Sequence, residues 1–113
     1  MNPGAIGYIR QDVSGARRQW DEVRIRTLAG RLGYDLRKIA VFRPHTDRPV
    51  HRLRVLVANL GVDAVIVPSL DHFENATVPK ALVERADIIT VDPEQTFARW
   101  LIPPDSPADM GSR

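Results

Sequence analysis

Residues 64–68, Ala-Val-Ile-Val-Pro, are the stretch that decides the fold of this chain. The run carries no charge and has the length of a strand, and a strand that is apolar on both sides is typical of the middle of a parallel sheet. A helical pattern precedes it, with Pro49 in its first turn, apolar residues from Val50 to Leu60, and Gly61 at its end. The stretch therefore predicts a central strand that follows a helix.

Strands and helices alternate outward from this run in both directions. The other predicted strands are Ala5–Arg10, Lys38–Phe42 and Asp87–Val91. The predicted helices are Ala16–Leu32, ended by Gly33, then Pro49–Leu60, Pro79–Arg85 and a last one from Asp92-Pro93 to Leu101. This order predicts an α/β fold, a three-layer sandwich with a mainly parallel four-stranded sheet.

The bulk composition limits the class of protein. We expect one domain over residues 1–102, followed by a disordered Pro-rich tail over 103–113. The chain has no cysteine and its three histidines are scattered, so we predict no metal site, and we assign no cofactor. No apolar run approaches the roughly 18 residues of a membrane span, and the N-terminus lacks the regions of a signal peptide. We therefore expect a cytoplasmic protein without a membrane partner.

Residues that can carry chemistry follow the first and third predicted strands. Ligands of parallel sheets lie beyond the carboxyl ends of the strands, near the point where the strand order switches. Gly7-Tyr8-Ile9-Arg10 ends the first strand, and Asp12 and Ser14 come just beyond it. The loop Ser69–Asn75 follows the central strand, and Thr46-Asp47-Arg48 precedes the second long helix. These segments are the predicted site.

Together, in this order and at these spacings, the three segments resemble the catalytic domain of the serine recombinases, the resolvase and invertase family. Those proteins open with a strand of the form G-Y-x-R-x-S, carry an arginine in a D-R sequence before the second helix, and end the third strand in S/K-L-D-R-L/F-x-R. The resemblance covers Ala5 to Leu101 and implies a fold like the resolvase N-terminal domain. It also implies a serine that attacks a DNA phosphate, with arginines that neutralise the developing charge.

Three positions of the family pattern are kept. Arg10 matches the arginine of the first strand, Arg48 matches the arginine before the second helix, and Asp71 matches the aspartate of the third-strand motif. The resemblance therefore implies that Arg10 and Arg48 bind a phosphate or another anionic ligand.

Three other positions depart from it. Asp12 stands in the nucleophile position, and His72 and Asn75 replace the two arginines that follow the aspartate. A carboxylate is repelled by a DNA phosphate, and the loss of one donor to the transition state typically costs about 10²–10³ in rate. We therefore interpret Arg10, Asp12, Arg48, Asp71 and His72 as the remnant of a phosphoryl-transfer site, with no confident catalytic residue.

Structural interpretations of the same residues stay open. Arg10 and Asp71 end strands that we place side by side, where they would pair with each other. Arg48 would be a solvated residue at a helix start, and His72 a surface residue. Ser14 would cap the helix that follows it.

Aromatic residues receive structural interpretations as well. Tyr8 is predicted to belong to the core, and Trp20 and Trp100 to the core or an interface.

Three functions compete for this sequence. We favour a catalytically inactive serine recombinase-like domain that acts as a binding or interaction module, in a DNA-associated or regulatory complex, because the architecture is kept while the site is dismantled. The second hypothesis is an active DNA-cleaving recombinase with Ser14 or Asp12 as nucleophile. The third is a phosphate- or nucleotide-sensing domain that uses Arg10 and Arg48.

The favoured function also predicts which partners the chain binds. We expect a protein partner, and DNA less strongly, because the net charge is only +2. We also expect a homodimer, because Trp100, Leu101 and Ile102 would form an uncovered apolar patch near the end of the chain.

Overall fold

Five strands form one sheet in the computed structural model of this chain, which describes residues 2–99. The strands are β1 (Gly4–Arg10), β2 (Asp35–Phe42), β3 (Ala64–Val67), β4 (Asp87–Thr90) and β5 (Gln95–Phe97). Their order across the sheet is β2-β1-β3-β4-β5, and the first four strands run parallel. The predicted α/β class with a mainly parallel sheet is confirmed, and the sheet has one strand more than predicted.

Helices cover both faces of this sheet. They are α1 (Gln11–Ser14), α2 (Arg18–Leu32), α3 (Pro49–Leu60) and α4 (Lys80–Val83), and single turns of 3-10 helix lie at Gly15–Arg17, Leu70–His72 and Glu74–Ala76. One layer of the core packs α3 and α4 against one face, and the other packs α2 against the opposite face. Within residues 2–99 no helix combines the length and the apolar character needed to cross a membrane.

The stretch that decided the prediction lies at the centre of the core. All four residues of β3 are fully buried, because β1 and β4 flank the strand and helices cover both its faces. Val65 and Val67 pack in the layer of α3, whereas Ala64 and Ile66 pack in the layer of α2. The predicted central strand is thereby confirmed.

The ends of the two long helices agree with their sequence signals. Pro49 is the first residue of α3, and Gly61 ends that helix with φ of 62°. Gly33 ends α2 in the left-handed region, with φ of 84°, and its N–H donates to the carbonyls of Ala29 and Gly30. A side chain at either glycine would be strained, which explains why glycine terminates both helices.

The predicted helix from Asp92 to Leu101 is wrong. Residues 95–97 instead form β5, which runs antiparallel to β4 and places Phe97 against the core. The hydroxyl of Thr90 donates to the carbonyl of Pro93 within the reversal between the two strands. Pairing along the open edge of β4 outweighs the local signal for a helix start. Residues 100–102 and the predicted tail lie outside the described residues.

Helix α2 turns one side toward the sheet and the other side away from it. It buries Ile25, Leu28 and Ala29 against the sheet. The side of the helix that carries Trp20 and Val23 therefore faces outward. Trp20 is 59% exposed and Val23 is 53% exposed, so Trp20 does not belong to the core, and its alternative assignment to an interface stays a prediction.

Candidate functional site

A cleft of about 510 Å³ opens at the carboxyl ends of β1 and β2. Its walls come from the ends of both strands, the start of α3 and the segment that follows β3. The order of the strands switches between β1 and β3, because β2 lies on one side of β1 and β3 on the other. The cleft therefore lies beside the switch point, where ligands of open α/β sheets bind.

Four of the residues at the motif positions of the resemblance line this cleft, namely Arg10, Arg48, His72 and Asn75. Asp71, although it is part of the same motif, does not line it. The Asp71 side chain is exposed, and its N–H donates to the Ser69 hydroxyl oxygen at 3.3 Å.

The lining of the cleft carries an excess of positive charge. Arg10, Arg43 and Arg48 all line it, and Glu74 is the single acidic residue among the described lining residues. His51 and His72 add two imidazoles. Such a surface attracts an anion, and guanidinium groups match the geometry of phosphate oxygens.

The side chain of Arg10 forms an ion pair with Asp12, the residue that occupies the position of the attacking serine in the serine recombinases. Its Nη2 donates to Asp12 Oδ2 at 2.7 Å, and its Nε donates to Asp12 Oδ1 at 3.3 Å. Both side chains are about one-third exposed, at 30% and 34%. The predicted pairing of Arg10 with Asp71 is wrong, because Asp12 is two residues away and engages the Nε–Nη2 edge of the guanidinium.

Arg48 is presented by a strained backbone. It has φ of 49° and ψ of 59°, a left-handed conformation that non-glycine residues adopt at a cost. The next turn of α3 braces the loop, because Arg52 Nε donates to the Asp47 carbonyl at 2.7 Å and the Arg52 N–H donates to the Arg48 carbonyl. Arg48 is exposed, as the structural interpretation predicted, and it also forms one wall of the cleft.

His72 is buried, so its assignment to the surface is wrong. The residue is 2% exposed, and its Nδ1 accepts the backbone N–H of Arg10 at 2.9 Å. A neutral imidazole that accepts at Nδ1 carries its hydrogen on Nε2. Burial lowers the pKa of His72, and the nearby Asp21 carboxylate is the strongest influence opposing that shift. The His72 ring is therefore a neutral wall that fixes the end of β1.

Ser14 points into the protein and not into the cleft. It is 7% exposed, and its hydroxyl donates to Asp21 Oδ2 at 2.6 Å. The predicted N-cap is wrong, because α2 begins at Arg18 and the hydroxyl of Ser14 is engaged by the carboxylate. The nearest serine to the nucleophile position is thus directed away from any ligand in the cleft.

Tyr8 forms the apolar floor of the cleft. Its ring packs edge-on against Phe42, with 5.2 Å between centroids, and is stacked on Phe73 at 5.5 Å. Burial raises the pKa of Tyr8 to about 12, against a smaller opposing effect of Arg10. Its assignment to the core is confirmed, and its phenol stays protonated at neutral pH.

Sequence reasoning missed Arg43, which lines the cleft, and Asp21, a buried residue near it. Arg43 directly follows β2, so the rule that identified the ends of β1 and β3 would also have identified it. Asp21 lies within a helical pattern among apolar and basic residues, and no sequence signal marks it as buried.

Comparison with known proteins identifies no relative from which a function of this chain could be inferred. No family model matches this chain, and no curated protein matches it. Among residues 2–99, no group of three or more His, Asp or Glu side chains is arranged to hold a metal ion.

Proposed function

We propose that this chain is a catalytically inactive serine recombinase-like domain that acts as a binding module for a phosphate-bearing partner in a DNA-associated or regulatory complex. The ligand group would sit in the cleft between Arg10, Arg43 and Arg48. A neutral His72 and the protonated phenol of Tyr8 would form its inner surface.

The two-pronged pair between Arg10 and Asp12 is the observation that carries this proposal. In the resemblance, the position of Asp12 belongs to the attacking serine and Arg10 is free to neutralise the phosphate. Here the carboxylate engages the guanidinium at 2.7 Å and 3.3 Å. A carboxylate in this position repels the phosphate that a nucleophile must approach, which disfavours strand cleavage, whereas Arg43 and Arg48 still offer guanidinium groups that a phosphate can bind.

The same pair sets the affinity of the cleft. A phosphate that binds Arg10 must compete with Asp12 for the guanidinium, which lowers the affinity for the ligand. Removal of the carboxylate charge would free the Nε–Nη2 edge of Arg10 for the two-pronged contact that phosphate prefers. The Asp12→Asn variant is therefore expected to bind phosphate more tightly than the natural chain.

The test is a titration with inorganic phosphate and pyrophosphate, followed by the thermal midpoint of unfolding at constant ionic strength. A ligand of the native state stabilises it by RT ln(1 + [L]/Kd), about 2.7 kcal/mol at one hundred times Kd. We expect a saturable rise for the natural chain, a larger rise for Asp12→Asn and none for Arg10→Ala. Arg26→Ala is the control, since Arg26 is an exposed arginine on α2 outside the cleft. An equal rise in all four proteins would overturn the proposal.

Arg48 offers a second variant that keeps the fold. Replacement by glycine relieves the left-handed strain, so Arg48→Gly is expected to unfold at a higher temperature in the absence of ligand. It should nevertheless lose phosphate affinity. A gain of stability together with a loss of binding separates the contribution of the side chain from any damage to folding.

Covalent chemistry is tested on supercoiled plasmid. If the chain were an active recombinase, rapid denaturation would trap a protein–DNA adduct that disappears in the Ser14→Ala variant. We expect no adduct from the natural chain. The salt dependence of any DNA retention, measured alongside, would report how many phosphate contacts the cleft makes.

A further inference from the structure

Asp21 is a buried carboxylate, and one of its oxygens lacks a hydrogen-bond donor among the described residues. The residue is 2% exposed, and Oδ2 accepts the hydroxyl of Ser14 at 2.6 Å. Oδ1 has no hydrogen-bond partner among the described residues, and it is the one buried side-chain atom there in that condition. Buried carboxylate oxygens without a donor are rare because their desolvation is not compensated, so Oδ1 calls for an explanation.

A small cavity lies directly against this carboxylate. Its volume is about 250 Å³, and Asp21 and His72 line it together with Ser69. Val13 and Pro68 add apolar surface to the wall. The cavity is separate from the cleft at Arg48, and it is too small for a nucleotide or another drug-sized ligand.

Two loose ion pairs lie at this cavity. Arg17 Nη2 is 3.9 Å from Asp21 Oδ1, and Arg24 Nη2 is 4.0 Å from Asp92 Oδ2. Both distances exceed a hydrogen bond, and the side chain of Arg17 is largely exposed. A ligand can therefore displace Arg17 from Asp21 without breaking a direct hydrogen bond.

The charges and the free acceptor specify the chemistry of a ligand. The described lining carries three carboxylates, Asp21, Asp71 and Asp92, against two guanidinium groups, Arg17 and Arg24, so its formal charge is −1 with His72 neutral. Oδ1 needs an N–H or O–H donor. A donor that also carries one positive charge satisfies both conditions, and the apolar residues at the wall suit an alkyl stem.

We propose that this cavity is a second binding site, which takes a primary alkylammonium group whose N–H donates to Asp21 Oδ1. The group is either a free small amine or the end of a lysine side chain from a partner protein. This proposal does not rest on the proposed function, because no step of it requires phosphate to bind in the cleft. A failure of phosphate binding would therefore leave the ammonium site untouched.

The test is a titration of the full chain with n-butylammonium, followed by the amide chemical shifts of Asp21, Ser69 and Asp71. Tetramethylammonium is the matched ligand control, because it has the same charge and no N–H. We expect saturable shifts around the cavity with n-butylammonium and at least a tenfold weaker response with tetramethylammonium. Equal responses to the two cations, or shifts that do not saturate, would overturn the proposal without any variant.

A variant then tests the acceptor itself. Asp21→Asn removes the charge at nearly constant volume, and it should weaken n-butylammonium binding at least tenfold. Asp35→Asn, at an exposed carboxylate on β2, should bind as the natural chain does. Unchanged binding by a folded Asp21→Asn protein would contradict the assignment.

The source of the ammonium group is distinguished by a short peptide with one lysine and blocked ends. A free amine as the natural ligand predicts that n-butylammonium binds at least as tightly as the peptide. A lysine from a partner protein predicts that the peptide binds more tightly and also shifts residues at the rim, such as Val13. Absence of binding by both probes would exclude the site.

Discussion

Helices α2 and α3 pack on opposite faces of one sheet, and they bury different kinds of residue. Helix α3 buries Leu53 and Val57, both apolar, and ends at its predicted glycine. Helix α2 buries Ile25 in the same way, but it also buries the carboxylate of Asp21 while Trp20 beside it faces outward. The buried side chains of α3 are apolar, whereas α2 also buries a carboxylate, one oxygen of which lacks a hydrogen-bond partner among the described residues.

The largest expected effect tests what the two helices share. Leu53→Ala and Ile25→Ala each remove a fully buried side chain, so each is expected to lower the free energy of unfolding by about 2–5 kcal/mol. Urea denaturation followed by circular dichroism measures both. If the free energy of unfolding fell by less than about 1 kcal/mol for only one variant, the claim that apolar burial holds both helices to the sheet would be contradicted for that helix.

Ser14→Ala tests what is particular to α2. The change removes the donor of Asp21 Oδ2, so neither oxygen of this buried carboxylate keeps a hydrogen-bond partner among residues 2–99, and the free energy of unfolding should fall by about 1–3 kcal/mol. The control is Thr77→Ala, which removes a hydroxyl bonded to an exposed carbonyl and should cost less than about 0.5 kcal/mol. Equal costs for the two variants would show that the Ser14–Asp21 pair is not special.

The buried His72 is expected to make the free energy of unfolding depend on pH. Burial lowers the folded-state pKa of His72 below its value in the unfolded chain, so the unfolded state binds the proton first. The stabilisation is fully present above the ordinary histidine pKa of about 6.5 and is lost as pH falls through that value toward the folded pKa, with a slope of at most about 1.4 kcal/mol per pH unit.

Variants assign this slope to a residue. His72→Gln should flatten the dependence between pH 7 and acid, whereas His45→Gln, at an exposed loop position, should keep it. Chemical denaturation at several pH values measures the slope. A slope that survives in His72→Gln would assign the dependence to other groups.

The smallest expected effect concerns the outward faces of the two helices. Trp20→Ser on α2 and Val55→Ser on α3 alter exposed side chains, so each should change the free energy of unfolding by less than about 0.5 kcal/mol. A cost above 1 kcal/mol for Trp20→Ser alone would show that another surface covers this residue. Light scattering on both proteins would then report whether that surface is a second copy, which also tests the predicted homodimer.

The elements that the sequence predicted well are those in which local pattern and tertiary packing agree. β3 is apolar throughout and is buried throughout, and α3 starts at Pro49 and ends before Gly61. The segment after Asp92 shows the opposite case, since a strong helix-start signal lost to pairing along the edge of β4. A single sequence contains the local signal but not the energy of the long-range pairing.

The candidate site was predicted in its position and not in its contacts. The switch-point rule placed Arg10 and His72 at one end of the sheet, and the resemblance added Arg48; all three line one cleft. The partner of Arg10, the burial of His72 and the inward direction of Ser14 depend on how α1 and α2 leave β1. That geometry includes the buried Asp21, which has no periodic signature, so residue types and spacings could not specify it.

His72 is a wall common to both the cleft and the Asp21 cavity. Its ring accepts the N–H of Arg10, and the Asp21 carboxylate is the strongest influence that opposes the lowering of its pKa by burial. Thermodynamic reciprocity then applies: if an ammonium ligand changes phosphate affinity by some factor, phosphate must change ammonium affinity by the same factor. If both proposed sites bind their ligands, His72 is the residue through which the two affinities would be coupled.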